Sequence, residues 1–519
     1  MSRPDTSHGG PMPYLMGIDI GTTSARAIII DESGKLVGAG VSEYPLYHPQ
    51  PLFVEQEPLD WWEGTKKAIG EALKNANVQS HEIGGIGISG QMHSLVLLDN
   101  HCKVLRRSIL WCDQRTVKQC EYIMRKTKQT LVQSTGNPAL TGFTLPKIIW
   151  VMQEEPEIYE KVHKMLLPKD YIRFKLTGEF ATEVSDASGT LMLDVKKRKW
   201  SEEILSAFRI KKENLPVVYE SPQITGKITS ESAKETGLKE GIPVVGGAGD
   251  QAAGGVGNGI IKEGLLSSTI GTSGVVFASL DDVKVDPFLR THTFCHAIPG
   301  KWHIMGVMLC AGVSLKWFRD TFGMEEVNVG KMTGQDPYEI LTMEASQVKP
   351  CSEGLIFLPY LMGERTPYPD PYAKGVFFGL TPRHTKAHLV RAVMEGVAFG
   401  LRDSLEIIKK LRIKIEEIRA SGGGARSTLW RQIQADINNA PMSTISIKEG
   451  PAFGVALLAG VGTGIYKNVE EACDNTIHVT SVTEPIKENV KRYEEYYRIY
   501  RSLYQKLKDE FVQVSGLDM

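Results

Sequence analysis

The sequence lacks the features that mark secreted, membrane-bound or disulfide-stabilised proteins. Its seven cysteines are scattered and contain no C-x-x-C pair, which argues against a disulfide framework and a structural zinc site. No apolar run is long enough to span a membrane. The first dozen residues contain Gly and Pro but no apolar core of a signal peptide. We therefore expect a cytoplasmic protein in which residues 1–13 form a disordered leader.

The sequence also lacks an excess of charge of either sign and a P-loop. With 60 Lys plus Arg against 61 Asp plus Glu, no basic face for nucleic acid is indicated, and a small-molecule partner is expected. Gly226 and Lys227 are followed by Ile228, so no G-x-x-x-x-G-K-[ST] element exists and a P-loop kinase is excluded. A chain of 519 residues is too long for one core and predicts at least two large domains. Composition leaves the oligomeric state open, with a homodimer among the candidates.

Two segments with the same pattern stand roughly half a chain apart. The first runs from Leu15 to Ser24 and is followed by the apolar run Ala27 to Ile30; the second runs from Leu265 to Phe277. Each predicts a β-hairpin whose tight Gly-Thr turn offers backbone N–H groups and hydroxyls to an anion. Asp19 precedes the first turn and would repel a bare phosphate, so phosphate binding there needs a divalent cation. Two hairpins facing each other across a cleft could hold a polyphosphate; two unrelated turns are the alternative.

The order of elements after each hairpin predicts a duplicated α/β fold. After the first hairpin we expect a strand over Lys35 to Val41, a helix opened by Pro58, and a buried strand over Ile83 to Ile88. After the second we expect a strand over Trp302 to Val307 and helices over Gly312 to Phe322 and near Leu389 to Ile408. We place the domain boundary and a hinge just after Gly255, which gives domains over residues 14–255 and 256–519.

Asp250 is the sharpest single candidate for chemistry. It lies in a glycine-dense stretch after the predicted strand Ile242 to Val245, and we expect a loop in which a substrate hydroxyl and a phosphate can approach its carboxylate. A general base fits this setting. The same stretch matches a dinucleotide fingerprint at Gly247, Gly249 and Ala252, but Asp250 would point a negative charge at the pyrophosphate.

Three other segments carry polar or glycine-rich patterns. Ser421 to Ser427 follows a short strand and opens a helix, where bare backbone suits an anion or nucleotide, although a plain tight connection is the alternative. Ser89 to Ser94 connects two strands and presents His93, either as a polyol contact or as a structural histidine. Trp111 to Arg115 pairs Asp113 with Arg115, which either clamp a sugar or hold the loop as an ion pair.

Together these motifs resemble those of the FGGY carbohydrate kinases, over about Leu15 to Tyr466. Within that family the segments most similar to xylulokinases are Ser89 to His93, Trp111 to Thr116, Asp186 to Thr190 and Leu358 to Pro367. The resemblance implies an α/β fold of two actin-like, ribonuclease H-like ATPase domains with a catalytic cleft between them. It also implies ATP-dependent phosphorylation of D-xylulose to D-xylulose 5-phosphate, with Mg²⁺.

The resemblance assigns roles to particular positions. Asp250 would take the proton from the sugar hydroxyl, and Asp19 would reach the metal through water. The residues that would hold the ketose are Met92, His93, Asp250 and Gln251. The residues that would bind the nucleotide are Gly21, Thr22, Thr23, Gly271, Thr272, Gly422, Gly423 and Gly424.

Two differences from the usual xylulokinase sequence leave the identity of the sugar substrate undecided. Gln251 stands where xylulokinases more often carry Asn, and Ser94 where they more often carry Gly. Both positions belong to the sugar side, so another pentulose, gluconate or glycerol remains an alternative substrate. A rival of a different class is a non-catalytic actin-like protein that binds nucleotide and signals through domain closure, which the retention of Asp250 argues against.

Overall fold

The computed structural model describes residues 13–447 and 449–517, which form two compact α/β units. The expected disordered leader lies outside the described residues, apart from Pro13. The chain passes between the units more than once. The first unit holds residues 13–261, 294–302 and 449–478, and the second holds residues 262–293, 303–447 and 479–517.

The first unit contains most of the strands. They are β1 Tyr14–Ile20, β2 Ser24–Ile30, β3 Leu36–Glu43, β4 Glu55–Gln56, β5 Ile83–Gly90, β6 Val96–Leu98, β7 Ser108–Ile109, β8 Lys164–Leu166, β9 Ala181–Glu183, β10 Leu193–Asp194, β11 Lys199–Trp200, β12 Val217–Tyr219, β13 Ile224–Lys227, β14 Pro243–Val245 and β15 Ala248–Gly249. The second unit's sheets are built from β16 Gly264–Ile270, β17 Gly274–Leu280, β18 His292–Cys295, β19 Trp302–Met308, β20 Ile356–Leu358, β21 Val376–Phe378, β22 Ile415–Gly422, β23 Met442–Ile445 and β24 Val479–Thr483.

The helices are divided between the units in the same way. Those of the first unit are α1 Pro58–Ala76, α2 Val117–Thr135, α3 Thr144–Glu154, α4 Pro156–Tyr159, α5 Pro168–Thr177, α6 Val184–Ser188, α7 Glu202–Phe208, α8 Ser230–Thr236, α9 Asp250–Gly257, α15 Gly450–Gly462 and α16 Val469–Thr476. Those of the second unit are α10 Gly312–Phe322, α11 Met324–Thr333, α12 Pro337–Ser346, α13 Lys386–Lys410, α14 Thr428–Asn438 and α17 Lys487–Leu517.

The predicted hairpin, third strand and Pro58 helix of the first unit are confirmed. Strands β1, β2 and β3 form an antiparallel meander, and β5 joins β1 in parallel, so that the main sheet has the order β13-β14-β5-β1-β2-β3 with β15 also paired to β5. Helix α1 begins with Pro58 in its first turn, where a missing N–H costs nothing. It buries Trp61 and Trp62 in the core of this unit.

Helix α15 lies on this sheet because two strands carry glycine where the helix crosses them. A Cβ at Gly17 would lie 1.8 Å from the carbonyl oxygen of Ala452, and one at Gly87 would lie 1.9 Å from that of Val455. Only glycine permits so close an approach of helix and strand backbones. The C-terminal segment 449–478 thereby joins the first unit, while the functional division predicted at residue 255 stays a prediction.

The second unit repeats this topology, as the sequence predicted. Its large sheet has the order β18-β19-β17-β16-β22-β23-β24, in which β16 and β17 form the second hairpin and β22 joins β16 in parallel. The expected helix near Leu389 to Ile408 is α13. Helix α17 buries a row of tyrosines that includes Tyr493, Tyr497 and Tyr500.

The duplication extends to the register of the strands. In the first unit Ile20 pairs with Gly90, and in the second Ile270 pairs with Gly422. Both parallel pairs carry a bulge at the same place, after Tyr14 in β1 and after Gly264 in β16. Asp19 and Thr269 are therefore equivalent positions, and they pair with the equivalent serines Ser89 and Ser421.

Asp250 does not lie in a glycine loop, and this expectation was wrong. It is the first residue of α9. This helix packs closely against α15: a Cβ at Gly257 of α9 would lie 2.1 Å from the carbonyl oxygen of Gly450, and one at Gly454 of α15 would lie 1.9 Å from that of Ala253. A close helix pair therefore accounts for Gly257, whereas a Cβ at Gly247, which has a φ of +65°, would lie 1.9 Å from the carbonyl oxygen of Ile88, and one at Gly249 would lie against Met92.

Disulfides and membrane-spanning helices are both missing from the part of the chain that the structure describes. All seven cysteines fall within it, and none is joined to another. No helix among the described residues combines the length and the apolar character needed to cross a bilayer.

Candidate active site

Three neighbouring strands of the first unit end at one edge of the sheet, and the two candidate acids stand there. Asp19 is in register with Ser89 of β5, and Gly249 of β15 is in register with Gly90. Because β1, β5 and β15 are parallel, their carboxyl ends meet at the same edge, where ligands bind in sheets of this kind. Asp19 and Asp250 are thereby brought together from distant parts of the sequence.

Asp250 has an environment that suits a base working near neutral pH. Its side chain is half-buried at the start of α9. Burial raises its pKa to about 7, the negative charge of Asp19 adds to the rise, and hydrogen bonds from the backbone and side chain of Gln251 oppose it. A carboxylate with a pKa near 7 can both accept and release a proton under physiological conditions.

The surroundings of Asp19 suit a carboxylate that would contact a metal ion through a water molecule. Burial raises its pKa, and the Ser89 hydroxyl and the Arg26 guanidinium oppose the rise. Its Oδ1 is buried and has no hydrogen-bond partner among the described residues. Those residues contain no cluster of three or more His, Cys, Asp or Glu side chains suited to a metal. One carboxylate fits Mg²⁺, which keeps several waters and relies on substrate phosphates for its other ligands.

The first hairpin turn is held from behind by polar side chains that sequence reasoning did not identify. Tyr44 and Gln56 donate to the carbonyl oxygens of Gly21 and Thr22 at 2.6 and 2.7 Å. The indole of Trp111 donates to Thr22 Oγ1 at 3.0 Å. The amides of Thr22 and Thr23 donate no hydrogen bond to any described residue. Two unpaired amides in a tight turn are suited to an anion.

Met92 packs against Gly249, the residue before Asp250, and His93 packs against Gly189, so glycines make room for both side chains. A Cβ at Gly249 would lie 2.9 Å from Met92 Cγ, and one at Gly189 would lie 2.5 Å from the ring of His93. His93 has a φ of +71°, a conformation that histidine rarely adopts. Its Nδ1 is 2.8 Å from the carbonyl oxygen of Gly189. With Nδ1–H donating there, Nε2 is the acceptor nitrogen of the ring.

Two phenylalanines that the sequence did not point to pack around His93. The ring of Phe143 meets His93 edge-on at a centroid distance of 4.8 Å, and that of Phe294 lies at 6.1 Å. Phe294 belongs to segment 294–302, which joins the first unit from a later part of the chain. No local motif could have linked these residues, because the contacts are between segments far apart in sequence.

The Asp113 and Arg115 pair holds its own loop. The Arg115 guanidinium donates to both carboxylate oxygens of Asp113 at 2.7–3.0 Å and to Glu55 at 2.8 Å. It also stacks on Phe53 at 3.7 Å. The side chains of Arg115 and Asp113 are 1% and 0% exposed. Of the two interpretations left open by the sequence, the ion pair is the one that the contacts favour.

The second hairpin turn repeats the first, with a helix as its support. The amide of Gly271 closes the turn on Ser273, and the carbonyl oxygens of Gly271 and Thr272 accept from the first amides of α10. Among the described residues, the amides of Thr272 and Ser273 donate no hydrogen bond. The equivalent of Asp19 here is Thr269, whose hydroxyl is 2.6 Å from that of Ser421. Only the first turn therefore carries an acid.

The three consecutive glycines that begin with Gly422, the last residue of β22, have different surroundings. Gly422 has a φ of +74° and stands where a Cβ would lie 2.5 Å from the carbonyl oxygen of Ile270, and a Cβ at Gly424 would lie 2.6 Å from the Ile270 side chain. At Gly423 a Cβ would meet nothing closer than 3.9 Å. Packing explains the outer two glycines but leaves the middle one unexplained.

A cavity of about 740 Å³ in the second unit lies against these glycines. Its lining includes Gly271, Thr272, Gly423 and Gly424, so four of the five nucleotide residues predicted for this unit share one cavity, and Gly422 is adjacent in sequence. Volumes of this size are typical of sites for small organic ligands. Other lining residues come from α10 and α12, which the sequence did not single out as site elements.

Comparison with known proteins gives matches over nearly the whole chain. The model of the FGGY family of carbohydrate kinases, N-terminal domain, matches residues 14–257, and that of the C-terminal domain matches residues 266–463. The xylulose kinase of Escherichia coli (strain K12) is 39% identical over 493 residues, which are 95% of this chain and 99% of that protein.

A second relative and a solved structure agree with these matches. The xylulose kinase of Bacillus subtilis (strain 168) is 37% identical over 498 residues, which are 96% of this chain and 98% of that protein. The crystal structure of a ligand-bound xylulose kinase from Lactobacillus acidophilus is similar with a TM-score of 0.89 and 28% identity, covering 96% of this chain and 99% of that one.

Proposed function

The chain belongs to the FGGY family of carbohydrate kinases, enzymes that phosphorylate sugars, and we propose that it transfers a phosphoryl group from ATP to D-xylulose. The relatives and the solved structure named above are xylulose kinases, similar over nearly their full length. The observation that carries the mechanism is Asp250, a carboxylate with a pKa of about 7 at an edge where three parallel strands end. The product is D-xylulose 5-phosphate.

The sugar is assigned to the first unit. The residues proposed to hold the ketose are Met92, His93, Gln251 and Asp250. The acceptor nitrogen of His93 suits a sugar hydroxyl, and the amide of Gln251 both steadies Asp250 and can reach a further hydroxyl. Phe143 and Phe294 fix the position of the imidazole from the other side.

The chemical step follows from the position of the base. Asp250 takes the proton of the terminal hydroxyl, and the oxygen forms a bond to the γ-phosphorus. The bond between that phosphorus and the β–γ bridging oxygen breaks, and ADP leaves with the electron pair. A positioned base contributes about 10²–10⁴-fold to such a step, and most of the remainder comes from alignment and charge neutralisation.

The nucleotide is assigned to the hairpin turns and to the cavity of the second unit. Gly21, Thr22 and Thr23 offer amides and hydroxyls to phosphate in one turn, and Gly271 and Thr272 do so in the other. The glycines Gly422 to Gly424 approach the nucleotide with bare backbone. The cavity beside them is large enough for a nucleoside.

Mg²⁺ fits the residues at the first turn. The buried and unpaired Oδ1 of Asp19 would hold a water of the metal, which is the role that the resemblance implies for this residue. When bound, the metal neutralises charge on the β- and γ-phosphates. The division into sugar and nucleotide domains at residue 255, the cytoplasmic location and a homodimeric assembly stay predictions.

A substrate panel with a catalytic variant tests the proposal. ADP release by the purified protein is measured with D-xylulose, D-ribulose, D-gluconate and glycerol, and the product is identified by ³¹P NMR. We expect the highest kcat/KM with D-xylulose and a loss of about 10²–10⁴-fold in the Asp250→Asn variant.

Other outcomes of the panel are equally informative. A higher kcat/KM on another polyol would contradict the choice of D-xylulose but keep the kinase mechanism. An Asp250→Asn variant as active as the wild type would contradict the assignment of the base. Nucleotide binding without transfer to any sugar would favour the non-catalytic actin-like alternative.

A further inference from the structure

Helix α6 and the glycine after it contact each of three segments that carry the proposed sugar site. Ser185 Oγ accepts a hydrogen bond from the amide of Gly249, the residue before Asp250, at 3.1 Å. The carbonyl oxygen of Gly189 is 2.8 Å from Nδ1 of His93. Ser188 Oγ accepts from the amide of Cys295 at 3.1 Å, next to Phe294. The base, the histidine and one aromatic wall thus depend on the same short element.

A fully buried group of charges fixes the beginning of α6. The carboxylate of Glu183 accepts from the amides of Ser185 and Asp186 at 2.7 and 2.9 Å. The Lys169 ammonium lies 3.4 Å from Glu183 and 3.3 Å from Asp186, and all three side chains are 0% exposed. Asp170 bridges Lys169 and Arg173 at 2.7 and 2.8 Å.

These buried charges are better suited to fixing the position of α6 than to stabilising the fold. A helix of five residues has almost no intrinsic stability in water, so tertiary contacts must hold it. Buried ion pairs are costly to desolvate and are often no more stabilising than apolar packing, while they can specify one arrangement of the chain. Lys169 also lies against the end of β5, since a Cβ at Gly90 would lie 3.1 Å from its Cβ. The cluster therefore ties α6 to the strand that ends at the site.

We propose that α6 is the positioning element of the sugar site. Ser185 fixes the backbone from which Asp250 projects, while Gly189 and Ser188 fix the His93 imidazole, directly and through the segment of Phe294. None of these residues is assigned a contact with reactants. The proposal rests on the proposed kinase function and deepens it, and it gives a role to the Asp186 to Thr190 segment.

Three variants that each remove one buried hydroxyl separate positioning from general stability. Ser185→Ala loses the bond to Gly249, and Ser188→Ala loses the bond to Cys295. Ser232→Ala is the matched control, because its buried hydroxyl likewise accepts from a backbone amide, that of Thr229 at 3.2 Å, and donates to a backbone carbonyl, that of Leu176 at 2.7 Å, without bonding to α6 or Glu183. Steady-state kinetics are measured for the sugar and for ATP, with the melting temperature of each variant.

Ser185→Ala and Ser188→Ala are expected to change different kinetic constants. Ser185→Ala should lower kcat at least tenfold with the sugar KM within threefold of wild type, because the base is misplaced. Ser188→Ala should raise the sugar KM at least fivefold with a smaller change in kcat, because the wall around His93 loosens. The ATP KM should change in neither. Ser232→Ala should show near wild-type kinetics.

A second measurement does not depend on activity. In ¹⁵N-histidine NMR of the full protein, His93 should show a protonated Nδ1 in the wild type and in Ser232→Ala, and a shifted or broadened signal in Ser188→Ala. If kcat and KM change in all three variants in proportion to the fall in melting temperature, α6 has no positioning role. The same conclusion follows if the His93 signal is unchanged in Ser188→Ala. A wild-type protein that phosphorylates no sugar would instead refute the proposed function, and the NMR comparison would still decide the role of α6.

Discussion

The carboxylates of Asp19 and Asp250 lie at the same edge of one sheet, and the charge of Asp19 raises the pKa of Asp250. The two acids have different surroundings: Asp19 faces Arg26 and Ser89, whereas Asp250 is bonded by Gln251. Such a pair can divide its tasks, with one acid at a metal and the other as a base. The second unit has Thr269 in place of Asp19, so the duplication kept the turn but only one half carries the acid.

The pH dependence of the reaction should report Asp250. A base must be ionised, and with a pKa of about 7 its ionised fraction falls about tenfold for each pH unit below 7. Because the pKa is raised, activity is lost as the pH falls through 7 and is fully present above it. We expect kcat/KM for the sugar, measured from pH 5.5 to 9, to have its acid limb near pH 7. A flat profile down to pH 5.5 would refute the assignment.

Replacing Asp19 by Asn should move that limb to lower pH. The substitution removes the like charge that raises the pKa of Asp250, but burial, the larger cause, remains. The limb should therefore shift downward without reaching the ordinary value near 4. The variant should also need more Mg²⁺ for half-maximal rate, because the buried Oδ1 is lost as a carboxylate oxygen. Glu43→Gln, which neutralises an exposed acid at the end of β3, is the control and should change neither quantity.

Much of this arrangement could be predicted from local sequence, because hairpins and tight turns are specified by neighbouring residues. The two hairpins follow from apolar runs on either side of a Gly-Thr turn, and the helix follows from Pro58 at its first turn. Ser427, predicted to end the glycine run, is the N-cap of α14 and accepts a hydrogen bond from the amide of Trp430 at 3.1 Å. Such features need no knowledge of the rest of the chain.

What could not be predicted depends on contacts across long sequence separations. The stretch after Asp250 is rich in glycine, which is a poor helix former, and it forms α9 because α15 packs closely against it. Nothing near Asp250 announces a helix located some two hundred residues later. The part of the second unit's cavity wall that comes from α10 and α12 was also missed. The sequences of these two helices contain no motif that points to a ligand.

The glycines after β22 offer a matched pair of substitutions. Gly423→Ala adds a Cβ that meets nothing closer than 3.9 Å, so the melting temperature should stay unchanged. The added methyl group would, however, reduce the space in the cavity that Gly423 lines. We expect the ATP KM to rise at least fivefold and the sugar KM to stay constant. Gly424→Ala places a Cβ 2.6 Å from Ile270 and should lower the melting temperature. An unchanged ATP KM in Gly423→Ala would contradict the nucleotide assignment.

Gly189→Ala tests whether the imidazole of His93 must stay where it is. The added Cβ would lie 2.5 Å from the ring, which has to move. We expect the sugar KM to rise about tenfold or more while the ATP KM remains within twofold. Gly70→Ala, in the middle of α1 with open space around it, is the control and should be neutral or stabilising by about 1 kcal/mol. Equal changes in both KM values would indicate a general loss of structure.

Substitution of Arg115 tests whether its ion pair with Asp113 supports the fold or binds the sugar. Its guanidinium is bonded by Asp113 and Glu55 and stacked on Phe53, with 1% of the side chain exposed. Arg115→Met leaves the buried Asp113 without its partner, and such a change costs about 3–5 kcal/mol of unfolding free energy. We expect that loss in urea denaturation, with the sugar KM unchanged when kinetics are measured well below the melting temperature. Arg115→Met combined with Asp113→Leu should recover part of the stability, because no buried charge is then left unpaired. A raised sugar KM without any loss of stability would restore the clamp interpretation.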